Sequence, residues 1–293
     1  MKSIKGIILA GGYGSRLYPL TFGTSKQLLP VYDKPMIYYP LSTIMHAGIR
    51  DILIISTSED LPKFKNLLND GSEIGLNICY AQQEKPNGIA ESLIIGSDFI
   101  GNDNVCLILG DNIFHGNTFI TLLDRARLNL ENNYCTIFGV EVDSPKDFGV
   151  IEFDSENNIH NIIEKPDNAS SNLIVSGLYY YTNDVVKIAR NLEPSIRGEL
   201  EITDINNQYL SQNKLRLVNL ESETSWIDTG TYDSLIQASK YFQDYENKTA
   251  KKVACIEEIA FNLGYIDNRK IISIADSMRN SNYGKYLQKI INN

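Results

Sequence analysis

Apolar positions in the first half of the chain fall into two alternating kinds of run. Residues 5–10, 51–57, 76–81, 104–110 and 134–140 are short and largely apolar, as strands are, whereas 36–47, 61–69, 90–95 and 118–129 read as helices. Alternation of this kind predicts right-handed βαβ units and an α/β fold: a Rossmann-like, mainly parallel central sheet with helices on both faces. The runs DILII at 51–55 and VCLIL at 105–109 show no polar alternation, so they are expected at the centre of the sheet, covered on both sides.

The pattern changes near Phe148. Residues 150–154 and 159–164 flank the polar stretch SENN, which predicts a hairpin, and 176–181 reads as another strand. From residue 234 onward the chain is helix-rich, at 234–246, 257–263 and 273–278. The expected organisation is a core over 1–233, with an α/β half to about 147 and a small β lobe over 148–233, then a helical tail over 234–293.

The first candidate chemistry lies where the first strand ends, in LAGGYGSRLYPLTFGTSKQLLP at 9–30. Glycine lets the backbone approach an anion, and successive N–H groups can cradle phosphate oxygens. Arg16 forks two oxygens and Lys26 adds a compact charge, which suits a bound triphosphate. A plain glycine turn would look the same from the glycines alone; the two cations that follow argue against it. Neither common glycine motif is present. Leu17 stands where the dinucleotide fingerprint needs its third glycine, and no Gly-Lys-[Ser/Thr] closes a P-loop.

These segments, GGxGSRLxPxT at 11–21 and SKQLLPV at 25–31, resemble the sugar nucleotidyltransferases, and most of all the glucose-1-phosphate thymidylyltransferase family. The resemblance continues in YDKPMIYYPLS at 32–42, LGDNIF at 109–114, IEKP at 163–166, RGELEITD at 197–204 and WIDTGT at 226–231, nearly the whole chain. It implies joining of dTTP to α-D-glucose 1-phosphate with Mg2+, giving dTDP-glucose and pyrophosphate, the first step toward dTDP-rhamnose and related deoxysugars. Other sugar 1-phosphates, or UTP in place of dTTP, are the nearest alternatives. A non-catalytic subunit that binds nucleotide sugar is a further one, and it would be expected to have lost a cation or carboxylate that this chain keeps.

The resemblance assigns residues. Leu9, Gly11, Gly12, Gly14, Ser15 and Arg16 would surround the nucleotide, with Gln83, Pro86 and Gly88 at its base and Asp111 near its phosphates. Arg16, Lys26 and Lys165 would be the reacting cations. Asp111 and Asp228 would hold Mg2+; Asp111 follows a buried strand at its carboxyl end, where open α/β sheets place ligands, although either aspartate could simply form a turn. Gly149, Glu164, Lys165, Gly177, Tyr179 and Trp226 would form the sugar-phosphate pocket. Arg197 could touch substrate or serve in a structural ion pair. The family forms homotetramers with a second, inhibitory nucleotide-sugar site. Gly116, Cys255, Glu258 and Ile259 match that site, with dTDP-rhamnose as the implied inhibitor; a tail that only packs and joins subunits is the alternative. Departures from the family pattern include Tyr13, Ser15, Phe148 and the Ala90-Glu91-Ser92 segment.

Composition narrows the setting. The chain has 293 residues, 43% of them hydrophobic, and a net charge of −9, which excludes a general nucleic-acid surface but not a few local cations. Residues 1–5 lead straight into a strand and no apolar run could span a bilayer, so neither a signal peptide nor a membrane partner is expected. Cys79, Cys106, Cys135 and Cys255 show no C-x-x-C spacing and are expected to be buried free thiols in a reducing cytoplasm. Phosphate-to-phosphate transfer needs neither a covalent enzyme nucleophile nor a protein base, because a phosphate monoester is mostly dianionic at pH 7.

Overall fold

The computed structural model describes residues 2–220 and 222–291. Among the described residues, nine strands form one mixed sheet. Its parallel centre runs β6–β1–β4–β5, where β1 is Ile4–Ala10, β4 is Asp51–Ser56, β5 is Asn77–Gln82 and β6 is Asn104–Leu109. Between β1 and β4 lies a two-residue hairpin, β2 (Pro30–Val31) and β3 (Lys34–Pro35). Beyond β6 the chain adds β7 (Asn112–Gly116), β8 (Cys135–Glu141), β9 (Gly149–Phe153), β10 (Ile159–Glu164), β11 (Leu173–Tyr181), β12 (Leu215–Asn219) and β13 (Thr224–Asp228).

Strand β11 is the seam. One edge pairs antiparallel with β8; the other pairs with β9 near its start and with β6 near its end. The hairpin β9–β10 thereby hangs from the same sheet as the parallel strands, and β12 lies parallel to β8. Strands β7 and β13 form a separate two-stranded ribbon.

The buried runs sort their side chains by period two, as continuous apolar strands must. Ile8, Ile52, Ile54, Cys106 and Ile108 face one helical layer, which includes the helices Tyr38–His46, Leu61–Leu68 and Phe119–Glu131 and the tail helix Ile256–Asn262. Ile7, Leu53, Ile55, Val105 and Leu107 face the other, where Glu91–Ile95, Val185–Arg190 and Ile202–Ser211 pack. The helix Ile202–Ser211 and the last helix, Asn282–Ile291, were not among the sequence expectations.

The tail is stitched to the first fifty residues. The helix Tyr232–Thr249 crosses the expected 233/234 division, and its Ala238 and Phe242 share a small core with Val31, Met36, Tyr39 and Ala254. Beneath this core lies a closed cluster of charges. Lys34, 3% exposed, donates through its ammonium to Asp33 and to Glu246 (3.1 Å); Lys252 donates to Asp33 and to Glu246 (3.0 Å), and the Val253 N–H donates to Glu246 (3.0 Å). Burial opposes the Asp33 charge, yet Lys34 and Lys252 hold its carboxyl below the ordinary range.

All four cysteines are free. Cys106, Cys135 and Cys255 are buried as expected, but Cys79 is exposed, because β5 is the edge strand of the sheet. Among the described residues no helix is long and apolar enough to cross a membrane.

Candidate active site

Strands β1, β4, β5 and β6 all end on one side of the sheet, and the candidate residues gather there. After β1 the chain turns through Gly11–Gly14; Gly14 accepts from the Leu17 N–H (2.8 Å) and the Thr21 hydroxyl (2.9 Å), which folds the loop back on itself. Gly12, Gly14, Ser15, Arg16, Lys26, Asp111 and Gly230 line a cleft of about 170 Å3. Leu9, in β1, contributes its carbonyl to the Gly110 N–H (2.9 Å), fixing the first loop against the turn that carries Asp111.

Lys26 is buried at the centre. Its ammonium donates to Asp111 Oδ2 (2.5 Å) and lies 4.0 Å from Asp228 Oδ1. Asp111 follows β6, and Asp228 is the last residue of β13, so the β7–β13 pairing delivers the second carboxylate to the first. Gly230 sits against both the Arg16 guanidinium and the Asp228 carboxylate; a side chain there would meet each at 3.0 Å.

The two carboxylates differ electrically. Burial works against the Asp111 charge, but Lys26 and the Asn112 amide hold that carboxyl below the ordinary range. Burial and the neighbouring Asp111 charge push Asp228 up to about 6, against the pull of Lys26 and Arg16. The two carboxylates thus face Lys26 and Arg16 across the cleft, with the Asp228 charge the less well compensated. Two carboxylate oxygens suit Mg2+, which takes one or two carboxylates and completes its shell with phosphates and water. Among the described residues no group of three or more His, Cys, Asp or Glu is placed to hold a metal ion.

Beside this cleft lies a second cavity of about 220 Å3, bordered by Asp111, Asp228 and Arg16 on one side and by Gly149, Glu164, Lys165, Gly177, Tyr179 and Trp226 on the other. Glu164, at the end of β10, accepts from the Thr203 hydroxyl (2.5 Å). Gly177 occupies the irregularity in β11 with φ 73°, and any side chain would strike Asn112 and Leu109. The Trp226 indole N–H donates to Asn112 Oδ1 (2.7 Å) and the Ser176 carbonyl (3.0 Å), and Phe148 packs edge-on against its ring. Lys165 is exposed, with backbone in the left-handed region (φ 44°) and its N–H bonded to the Phe148 carbonyl. Asn112, Thr203 and Asn206 border this cavity and had no role in the sequence reading, although Asn112 and Thr203 lie in the LGDNIF and RGELEITD segments.

Gln83 follows β5 and is buried, whereas Gln82 is exposed. Its side-chain oxygen lies against Gly11, where no other residue would leave room. Pro86 is exposed on the loop to Gly88, whose carbonyl accepts from Gln83 Nε2 (3.4 Å). Arg197 donates to Glu201 (2.7 Å) and lies 3.4 Å from Glu199 and Glu164, the ion-pair alternative. Of the regulatory candidates, Gly116 ends β7 flat against Glu223 and Thr224, Cys255 and Ile259 are buried, and Glu258 accepts from the Tyr286 hydroxyl (2.7 Å). Strand β7 and the Ile256–Asn262 helix pack on the same helix, Tyr38–His46.

A family profile described as nucleotidyl transferase matches residues 5–245, from β1 into the helix that follows Asp228. The chain belongs to the nucleotidyl transferase family. Within it, the chain is 49% identical to the glucose-1-phosphate thymidylyltransferase of Neisseria meningitidis over 98% of its own length and 99% of that protein. It is 48% identical to the enzyme of that name from Mycobacterium tuberculosis, covering 98% of this chain and 99% of the relative. Among solved structures, a Bacillus anthracis protein described as a glucose-1-phosphate thymidylyltransferase, in complex with sucrose, superimposes with TM-score 0.75 at 40% identity, over 83% of this chain and 96% of that one. A UDP-glucose pyrophosphorylase complexed with UDP-glucose gives TM-score 0.73 at 25% identity, over 84% and 100%.

Proposed function

We propose that this chain is a glucose-1-phosphate thymidylyltransferase, joining dTTP and α-D-glucose 1-phosphate to give dTDP-glucose and pyrophosphate. The observation that carries the reading is that two cavities share Arg16 and Asp111, one beneath the glycine loop and one bordered by Asp228 and walled by Glu164 and Trp226.

An oxygen of the sugar phosphate attacks the α-phosphorus of dTTP, the bond from that phosphorus to the bridging oxygen breaks, and pyrophosphate leaves with the electron pair. The attacking oxygen is already ionised, so no residue needs to take a proton. The obstacle is the approach of one polyanion to another, and positioned charge lowers it. Arg16 and Lys26 neutralise the triphosphate, the glycine-loop N–H groups hold its oxygens, and Lys165 meets the sugar phosphate. Glu164 accepts hydroxyl hydrogen bonds in a pocket shaped by Gly149, Gly177, Tyr179 and Trp226. Gln83 and the Gly88 backbone receive the base. Asp111 and Asp228 hold Mg2+, which when bound supplies further neutralisation of the phosphates.

The test is pyrophosphate release over a matrix of nucleotides and sugar phosphates. Highest turnover with dTTP and glucose 1-phosphate is expected. UTP run beside dTTP separates the uridylyltransferase alternative, since the two bases differ by one methyl. Asp111→Asn and Asp228→Asn should each cut turnover strongly in a folded protein; near-normal activity of both at low Mg2+ would overturn the carboxylate assignment.

The reading extends to a cytoplasmic homotetramer, divided into the 1–233 core and the 234–293 tail, with a second site near Gly116, Cys255, Glu258 and Ile259 that takes dTDP-rhamnose. Glu258→Ala should weaken that inhibition and leave basal turnover. A monomer in light scattering, or purely competitive inhibition untouched by the substitution, would count against it.

A further inference from the structure

Lys26 stands at the end of a loop that is held from outside. The near limb folds back on Gly14. At the tip Tyr18, Leu20 and Phe22 are exposed, so packing does little to fix it. The far limb, 23–25, meets the start of the helix Leu61–Leu68, which follows β4. An aspartate that precedes a helix ordinarily accepts an N–H of that helix. Asp60 precedes this one and makes no such bond. Its carboxylate crosses to the loop instead, where Oδ1 accepts the Ser25 N–H (3.1 Å). Lys63, three residues on, donates to the Gly23 carbonyl (2.9 Å) and to the same Oδ1 (2.8 Å). The Thr57 hydroxyl donates to Oδ2 (3.3 Å). One side chain thus takes a backbone N–H of the loop while the other serves a backbone C=O, as a neighbouring strand would.

Ser25 is buried, so an unpaired N–H there would be costly. Ser25 also starts the short helical turn Lys26–Leu28: its hydroxyl accepts the Gln27 N–H (3.4 Å) and its carbonyl the Leu28 N–H (3.0 Å). The chain direction fixed at Ser25 therefore decides where the next side chain, Lys26, begins.

Resting on the reading of Lys26 as a triphosphate cation, we infer that Asp60 and Lys63 are positioning residues for the reaction. They clamp the chain one residue before Lys26, so the ammonium is already in place when the phosphates arrive. Neither residue borders the two cavities, and each acts only through the loop.

The experiment measures kcat and both KM values by pyrophosphate release from dTTP and α-D-glucose 1-phosphate, per folded molecule as counted from urea unfolding. Asp60→Ala removes the acceptor of the Ser25 N–H. It should lower kcat about tenfold or more, the scale of a small misplacement of a reacting group, and leave the KM for the sugar phosphate within about twofold. Asp60→Asn keeps an oxygen for that N–H and should restore most of the turnover; Lys63→Met should fall between the parent and Asp60→Ala. In a Lys26→Met background, Asp60→Ala should change turnover no further, since no ammonium is left to place. Should Asp60→Ala not fold, Lys63→Met takes its place in that comparison. Parent-like kcat in these variants, or an additive loss in the double variant, while Lys26→Met alone is strongly impaired, would overturn the clamp. Near-normal turnover of Lys26→Met would instead overturn the reading of Lys26 itself.

Discussion

Two lysines eight residues apart, Lys26 and Lys34, each lie buried between two carboxylates, yet they sit in opposite electrical circumstances. Around Lys34 the charges close: Lys252 joins, Glu246 also accepts a backbone N–H, and the Asp33 carboxyl is held low. Around Lys26 they do not close, and Asp228 rises to about 6. The Asp33 carboxyl is held low by two bonded lysines, whereas Asp228 is pushed up by burial and by Asp111 against the weaker pull of Lys26 and Arg16. The first cluster holds the tail to the hairpin β2–β3; the second has electrostatic demand left over, and it borders both cavities.

The comparison breaks most visibly at Lys26. Lys26→Met should lower turnover on the order of 10³-fold while unfolding stability changes far less, because the lost charge acts mainly on the phosphates. Lys34→Met should do the reverse. Leaving Asp33 and Glu246 without their central cation should cost about 3–5 kcal/mol in urea unfolding, while turnover per folded molecule stays within a few-fold. A stable but inactive Lys34→Met protein would show that the closed cluster also serves the chemistry.

Lys165→Met sharpens the division of cations within the open site. It should raise the KM for the sugar phosphate more than that for dTTP, whereas Lys26→Met acts chiefly on the triphosphate. Identical kinetic defects in the two would mean that the cations are not divided this way.

The smallest effect expected is in the tail. Burial raises the Glu257 carboxyl above its ordinary value of 4.5, against the Tyr283 hydroxyl that donates to it. A raised carboxyl favours the folded state below the unfolded value, and that advantage is lost as pH rises through the folded one. Glu257→Gln does not titrate, so its melting temperature relative to the parent should climb between pH 4 and pH 8. A flat difference across that range would remove the argument.

What could be read beforehand followed the range of the interactions. Strands β1, β4 and β6 were legible because burial on both faces leaves uninterrupted apolar runs. The ribbon β7–β13 was not, since NIFHG and TSWID are short and find each other across more than a hundred residues. The helix Ile202–Ser211 was missed because ITDINNQYLS is rich in asparagine and β-branched residues, poor helix formers that packing overrides. In the site, Arg16, Lys26 and Asp111 announced themselves by a glycine loop and a strand end. The bond that the Gln83 amide donates to Glu91 (2.7 Å) had no such sign, because it depends on which way a single amide turns.

The tie between Lys34 and Glu246 spans 212 residues, and Asp228 reaches Lys26 over nearly as long a stretch. At ribosomal speed of about 5–20 residues per second, the amino-terminal partner of the longer tie waits roughly 10–40 s for the other to be made. During that interval the parallel strands can already pair, while Lys26 has Asp111 but no second carboxylate and the hairpin β2–β3 has no tail to hold it. A nascent chain halted before residue 228 thus has a sheet and a glycine loop but no reaction centre. Competence arrives late in synthesis, with the segments that bring Asp228 and then Glu246 back to the beginning of the chain.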